Sequence, residues 1–120
     1  MPKYADVYLL PIPEVNVPAY RKLAAKAGKL FLKHGARRYR EYVASDLNTE
    51  DVIPFPKKIK LKDGETLVYA AVEFDSESQR NKAMKAIMAD PEMAKIMEGK
   101  DAPFDYRRMV YGGFKVIVDL

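Results

Sequence analysis

Leu67-Val68-Tyr69-Ala70-Ala71-Val72-Glu73-Phe74 is nearly continuous in apolar and aromatic residues. A strand with one wet face alternates polar and apolar side chains, whereas an unbroken run marks a strand covered on both faces. Upstream, Asp63-Gly64 supplies a turn of the hairpin type, so Thr66–Phe74 is expected to pair with Lys57–Leu61, where lysine alternates with Ile59 and Leu61. Downstream, Ser76 followed three residues later by Gln79 forms a capping box. The helix it opens carries Ala83, Met84, Ile87 and Met88 on its inward stripe.

A strand of this kind needs a helix layer, and the earlier chain provides one. Between Val17 and His34 the residues Val17, Tyr20, Leu23, Ala24, Ala27, Leu30 and Phe31 recur at three- and four-residue steps, with Arg21, Lys22, Lys26, Lys29 and Lys33 on the other side. Asn16 is placed to cap this helix, Pro18 suits its first turn and Gly35 its left-handed stop. Tyr4–Leu10 is a first strand that Pro11 and Pro13 should end, and Arg37–Ser45 a second, with Tyr39, Glu41 and Val43 on one side. Residues 46–57, with Phe55 between two prolines, read as an excursion loop. Asp90-Pro91 ends the second helix and starts a short turn bearing Met93, Ile96 and Met97, with Gly99 as its stop. Arg107–Val118 closes the chain as a last strand, in which Gly112-Gly113 marks a bulge or a close approach to the backbone.

The order is β-α-β, hairpin, β-α-β. That is α+β, a ferredoxin-like split βαβ domain over residues 1–120, with both helices on one face of a four-stranded antiparallel sheet. The strands are apolar on both sides, so the bare face needs a cover. The simplest cover is a second copy of the chain, giving a homodimer paired sheet to sheet.

The composition excludes several functions. Across 120 residues there is no cysteine and one histidine, hence no disulfide frame, thiolate nucleophile or cysteine-ligated metal, and too few ligands for a protein-only metal site. No stretch is long and apolar enough to span a bilayer, and the N-terminus lacks a signal-peptide pattern, so no membrane partner is expected and the reading is cytoplasmic. The net charge of +4 resides largely on the outer side of the first helix, where a solvated face is preferred over a phosphate-binding one.

His34 continues the apolar stripe and is the candidate acid or base. The helix dipole favours its charged form and burial opposes it, while capping of the last carbonyls is the structural alternative. Tyr8, Tyr39, Arg108 and Tyr111 are candidate ligand-orienting groups for an aromatic or carboxylate-bearing molecule, with rim or core positions in a dimer as the alternative. Phe55 is a candidate lid residue or a plug for the partner subunit. Met84, Met88, Met93 and Met97 read as adaptable core. Tyr111-Gly112-Gly113-Phe114 lacks the residue order and the strand position of an RNA-recognition signature, and a dimer would cover the face such a module needs.

Tyr8-Leu9-Leu10-Pro11-Ile12-Pro13, Lys33-His34-Gly35-Ala36, Pro54-Phe55-Pro56-Lys57 with Lys60-Leu61-Lys62, Met88-Ala89-Asp90-Pro91 and Arg108-Met109-Val110-Tyr111-Gly112-Gly113-Phe114 follow one another along nearly the whole chain. In this order and spacing the sequence resembles the uncharacterised YbaA-like family of the dimeric α+β barrel superfamily. The resemblance implies the fold and the homodimer. The wider superfamily includes cofactor-free monooxygenases, haem-degrading enzymes and small-ligand binders, with pockets between helices and sheet. The resulting expectation is a small organic ligand held there, with oxygenase-like turnover and no cofactor. Two alternatives are a single-stranded RNA or DNA binder using the basic helix face, and a small dimeric interaction protein without a pocket.

Overall fold

The computed structural model describes residues 2–98 and 102–120. The elements are β1 (Tyr4–Pro13), a 3-10 turn (Glu14–Asn16), α1 (Val17–Lys33), β2 (Arg38–Val43), α2 (Phe55–Ile59), β3 (Glu65–Phe74), α3 (Glu77–Met88), α4 (Pro91–Met97), a second 3-10 turn (Tyr106–Arg108) and β4 (Val110–Lys115). The sheet order is β2-β3-β1-β4 with every pair antiparallel. This is the ferredoxin-like arrangement that the alternation of strands and helices implies.

β1 runs on through Pro11 and Pro13, where the sequence suggests a stop. The register gives the reason. Glu14 N–H donates to Gly64 O at 2.9 Å, so even-numbered residues of β1 direct their N–H groups at β3, while the missing N–H groups of Pro11 and Pro13 fall on the other edge. On that edge β4 pairs only as far as Leu9, so no bond is lost.

The same register sorts the side chains. Tyr4, Asp6, Tyr8, Leu10 and Ile12 of β1 and Val68, Ala70, Val72 and Phe74 of β3 face the helices, and all but Tyr8 are buried. Two clusters form there, one around Phe31, Val72, Phe74 and Ile87, the other around Leu10, Ile12, Tyr20, Val68 and Phe104. The opposite face carries Val7, Leu9, Tyr42, Tyr69, Val110 and Phe114.

Lys57–Leu61 is not a strand. Phe55–Ile59 forms the short α2, closed by Lys60 in the left-handed region at φ 58°. Pro56 in the first turn presets φ for a helix, and the single spacing from Ile59 to Leu61 is too short a pattern to hold a strand without a partner. Asn16 precedes α1 but does not cap it; its amide donates to Pro103 O at 3.0 Å. The Ser76 cap does form, with Gln79 N–H donating to Ser76 Oγ at 3.1 Å, and Gly35 takes a positive φ of 114°. Gly99 lies outside the described residues. The last strand is shorter than Arg107–Val118, because Arg107 and Arg108 lie in the 3-10 turn and Val116–Val118 lie beyond the sheet. No bulge interrupts Gly112-Gly113. The close approach is real: a Cβ on Gly113 would collide with the Tyr4 hydroxyl.

Candidate functional site

A cavity of about 230 Å³ separates the helix layer from the sheet. Its floor is one row of the register, Glu41 of β2, Ala70 of β3 and Tyr8 of β1. Alanine in the middle leaves room above the sheet where a larger residue would fill it. α1 forms one wall through Tyr20, Leu23, Ala24, Ala27 and Phe31. α3 and α4 form another through Met84, Ile87, Met88, Met93, Ile96 and Met97, and Phe104, Tyr106 and Met109 close the end. The four methionines expected in the core therefore line the cavity, with Met88 and Met97 exposed at its mouth. Unbranched thioethers give a wall that adapts to an apolar guest.

Glu41 is the one charged side chain of this lining among the described residues. Tyr20 Oη donates to its Oε1 and Tyr39 Oη to its Oε2, so helix and strand hold the carboxylate from two sides. Burial, reinforced by Glu41, pushes both phenols above their ordinary value of 10.0. They remain donors throughout the neutral range. Tyr8 is also raised, by burial first and then by the charge of Asp6, and its hydroxyl makes no hydrogen bond within the protein among the described residues.

Tyr8 leans on Tyr111, ring centroids 4.7 Å apart. Arg80 Nη1 donates to Tyr111 Oη at 2.8 Å and to the fully buried Asp6 at 3.1 Å, while Nη2 donates to Tyr4 Oη at 2.7 Å. This cluster lies beside the cavity on the same helix-facing side of β1, Asp6 one row along from Tyr8, and Tyr111 backs the Tyr8 ring.

Of the residues singled out from sequence, Tyr8 and Tyr39 meet in the cavity and the others do not. His34 follows α1 as its C-cap, with Nε2 2.7 Å from Asp90 Oδ2, outside the lining. Asp90 in turn caps α4 by accepting from Glu92 N–H at 2.9 Å, and its carboxyl is held down at about 2, chiefly by the bond to His34. The imidazole thus ties the end of α1 to the start of α4, a structural position. Arg108 forks onto Glu65 at 2.6 and 3.0 Å and reaches Lys60 O at 3.1 Å, so its guanidinium is spent on the start of β3. Tyr111 supports Tyr8 without lining the cavity. Phe55 lies on the other side of the sheet, in a groove with Leu9, Tyr42, Leu67 and Tyr69. Among the described residues no arginine lines the cavity, so the guanidinium fork expected for a carboxylate-bearing ligand is not part of this lining.

Glu41 is the residue that sequence reasoning passed over. The signal was present: Glu41 shares its face with Tyr39 and Val43, and a carboxylate in an apolar phase of a strand needs partners. Among the described residues no group of three or more His, Cys, Asp and Glu gathers to hold a metal. Lys22, Lys26 and Lys29 stand exposed on the outer side of α1, away from the lining, whereas Arg21 borders an adjoining groove that it shares with Tyr20, Tyr39 and Glu41.

Gly28 brings α1 close enough for this geometry. A Cβ there would lie 2.6 Å from Tyr39 Cδ1. In most helices Gly→Ala gains up to about 1 kcal/mol. Here Gly28→Ala is expected to lose about 1–3 kcal/mol through the forced shift of the ring, seen as a lower urea midpoint.

The fold is shared with solved structures. A dimeric ferredoxin-like protein from an uncultured marine organism superimposes with a TM-score of 0.62 at 8% identity, covering 100% of both chains. SnoaB, a cofactor-independent oxygenase from Streptomyces nogalater, gives 0.62 at 13% identity over 100% of this chain and 98% of its own. In sequence, the uncharacterized protein YbaA of Escherichia coli K12 is 38% identical over 117 residues, 98% of each chain. Residues 3–106 match the family described as protein of unknown function DUF1428, and with YbaA this chain belongs to that family.

Proposed function

We propose that each protomer binds a small, neutral, mainly apolar organic molecule in the cavity between helices and sheet, and that the protein is a homodimer joined through the opposite sheet face. The cavity carries the first part: an adaptable methionine and aromatic wall closes over a floor holding a single carboxylate. Glu41 is the one charged side chain of the lining among the described residues, and its negative charge disfavours anions and suits a neutral guest. A cofactor-independent oxygenase has this fold, so turnover without an organic cofactor is the enzymatic form of the proposal. His34 is left out of this reading because it lies outside the cavity lining, with Nε2 on Asp90.

The second part rests on the face bearing Tyr42, Tyr69, Val110 and Phe114, which are between 39% and 59% exposed. So large an apolar area on a sheet calls for a partner. A neighbour of the same fold is described as dimeric. Phe55, on this face, is then a contact with the partner rather than a lid. The lining residues come from one protomer, on the face of the sheet away from the proposed pairing.

Thermal-shift measurements with neutral aromatic and bicyclic compounds and their carboxylate analogues test the cavity. The neutral compounds are expected to raise the melting temperature and the carboxylates to leave it unchanged. Ala27→Phe, which fills the space from α1, should abolish the response while keeping the native circular dichroism spectrum. A shift that survives Ala27→Phe would place binding elsewhere.

A further inference from the structure

Glu41 and Tyr8 stand on opposite sides of Ala70 in a single row of the sheet, their strands each adjacent to β3. Two interstrand spacings separate their backbones by roughly 10 Å, and both side chains reach over the small floor residue into the same space. Their chemistry is complementary. A carboxylate offers about four lone-pair sites, of which Tyr20 and Tyr39 take two, so Glu41 still accepts a proton or a donor. Tyr8 is an uncommitted hydroxyl donor, backed by Tyr111 and the Arg80 cluster.

We propose that this pair moves a proton on the carbon next to a carbonyl, with a neutral cyclic ketone as the substrate class; this rests on the cavity being the ligand site. Glu41 Oε takes the proton as the C–H bond breaks. The electron pair shifts to the carbonyl oxygen, and the enolate oxygen accepts a hydrogen bond from Tyr8 Oη. Return of the proton from Glu41 to the same carbon regenerates the ketone, and return to a conjugated carbon gives its isomer, so no oxidant or cofactor enters the balance. The donor acts where charge develops, in a lining that is mainly apolar.

The test uses 2-tetralone in buffered D2O, with loss of its α-proton signals followed by NMR and binding followed by thermal shift. The wild-type protein is expected to speed exchange above the buffer rate. Glu41→Gln should lower the protein-dependent rate about 100-fold or more, and Tyr8→Phe by a factor on the order of 100, both with the thermal shift retained. A shift that is lost in Ala27→Phe but comes with no exchange overturns the proton transfer and leaves the cavity reading standing. No shift with 2-tetralone overturns both for this class of compound. Exchange unchanged in Glu41→Gln overturns the assignment of the base.

Discussion

Arg80→Leu is expected to lower stability by roughly 3 kcal/mol, out of proportion to a single ion pair near a surface. Asp6 has no exposure to solvent, and one of its carboxylate oxygens, Oδ2, has no hydrogen-bond partner even with Arg80 in place. Burial therefore raises its carboxyl above the ordinary 3.8, and Arg80 opposes that shift. Without the guanidinium the charge is left in the interior uncompensated, and Tyr4 and Tyr111 lose the donor that holds their hydroxyls. The pH dependence follows in sign. A carboxyl whose folded value lies above its unfolded one binds protons more readily in the native state, so its contribution to stability falls as pH rises from about 3.8 through the folded value. In the variant that decline should steepen, so part of the lost stability returns on acidification. Urea unfolding at fixed protomer concentration from pH 4 to 8 measures both effects. The double variant Asp6→Leu, Arg80→Leu should recover much of the loss, since a buried pair replaced by apolar groups is often neutral. A single variant as stable as the wild type would mean that Asp6 is solvated by another route.

The sheet was legible from sequence because its signals are local and redundant. The run from Leu67 to Phe74 needed cover on both faces, and the stripe from Val17 to Phe31 could provide it on one. The site was less legible because it is a property of register. Which strand residue lies opposite Ala70 decides that Tyr8 and Glu41 share a floor, and nothing in the spacing of β1 and β2 along the chain carries that information. His34 drew attention as the lone histidine on an apolar stripe, yet one further helical step carries it past the end of α1, where the nearest charge is Asp90. The methionines were assigned to the core because helical spacing cannot distinguish a filled interior from the rim of a cavity. Phe55 lay in a segment whose side of the sheet is fixed by tertiary contacts alone.

Phe114→Asp is expected to convert the proposed homodimer to monomers. Phe114 is 59% exposed on the bare face, opposite Ala5 in the register and in line with Val110 and Gly112 of the same strand. Burying a phenylalanine side chain is worth about 1.5–3 kcal/mol. A two-fold interface uses the same patch twice, so the substitution removes about 3–6 kcal/mol of apolar contact before any cost of desolvating two carboxylates is counted. At 1.4 kcal/mol per decade that weakens association by at least about 100-fold. Sedimentation velocity at micromolar protomer should show the wild type at twice 13.7 kDa and the variant at 13.7 kDa. Lys26→Asp, on the exposed side of α1, reverses a charge without touching the sheet face and should leave the dimer intact. Because the cavity lining lies on the helix side, Phe114→Asp should keep the thermal response to neutral ligands as a monomer. Loss of that response on dissociation would show that the partner completes the site, and a wild-type chain that sediments as a monomer would leave the apolar face without the occupant proposed for it.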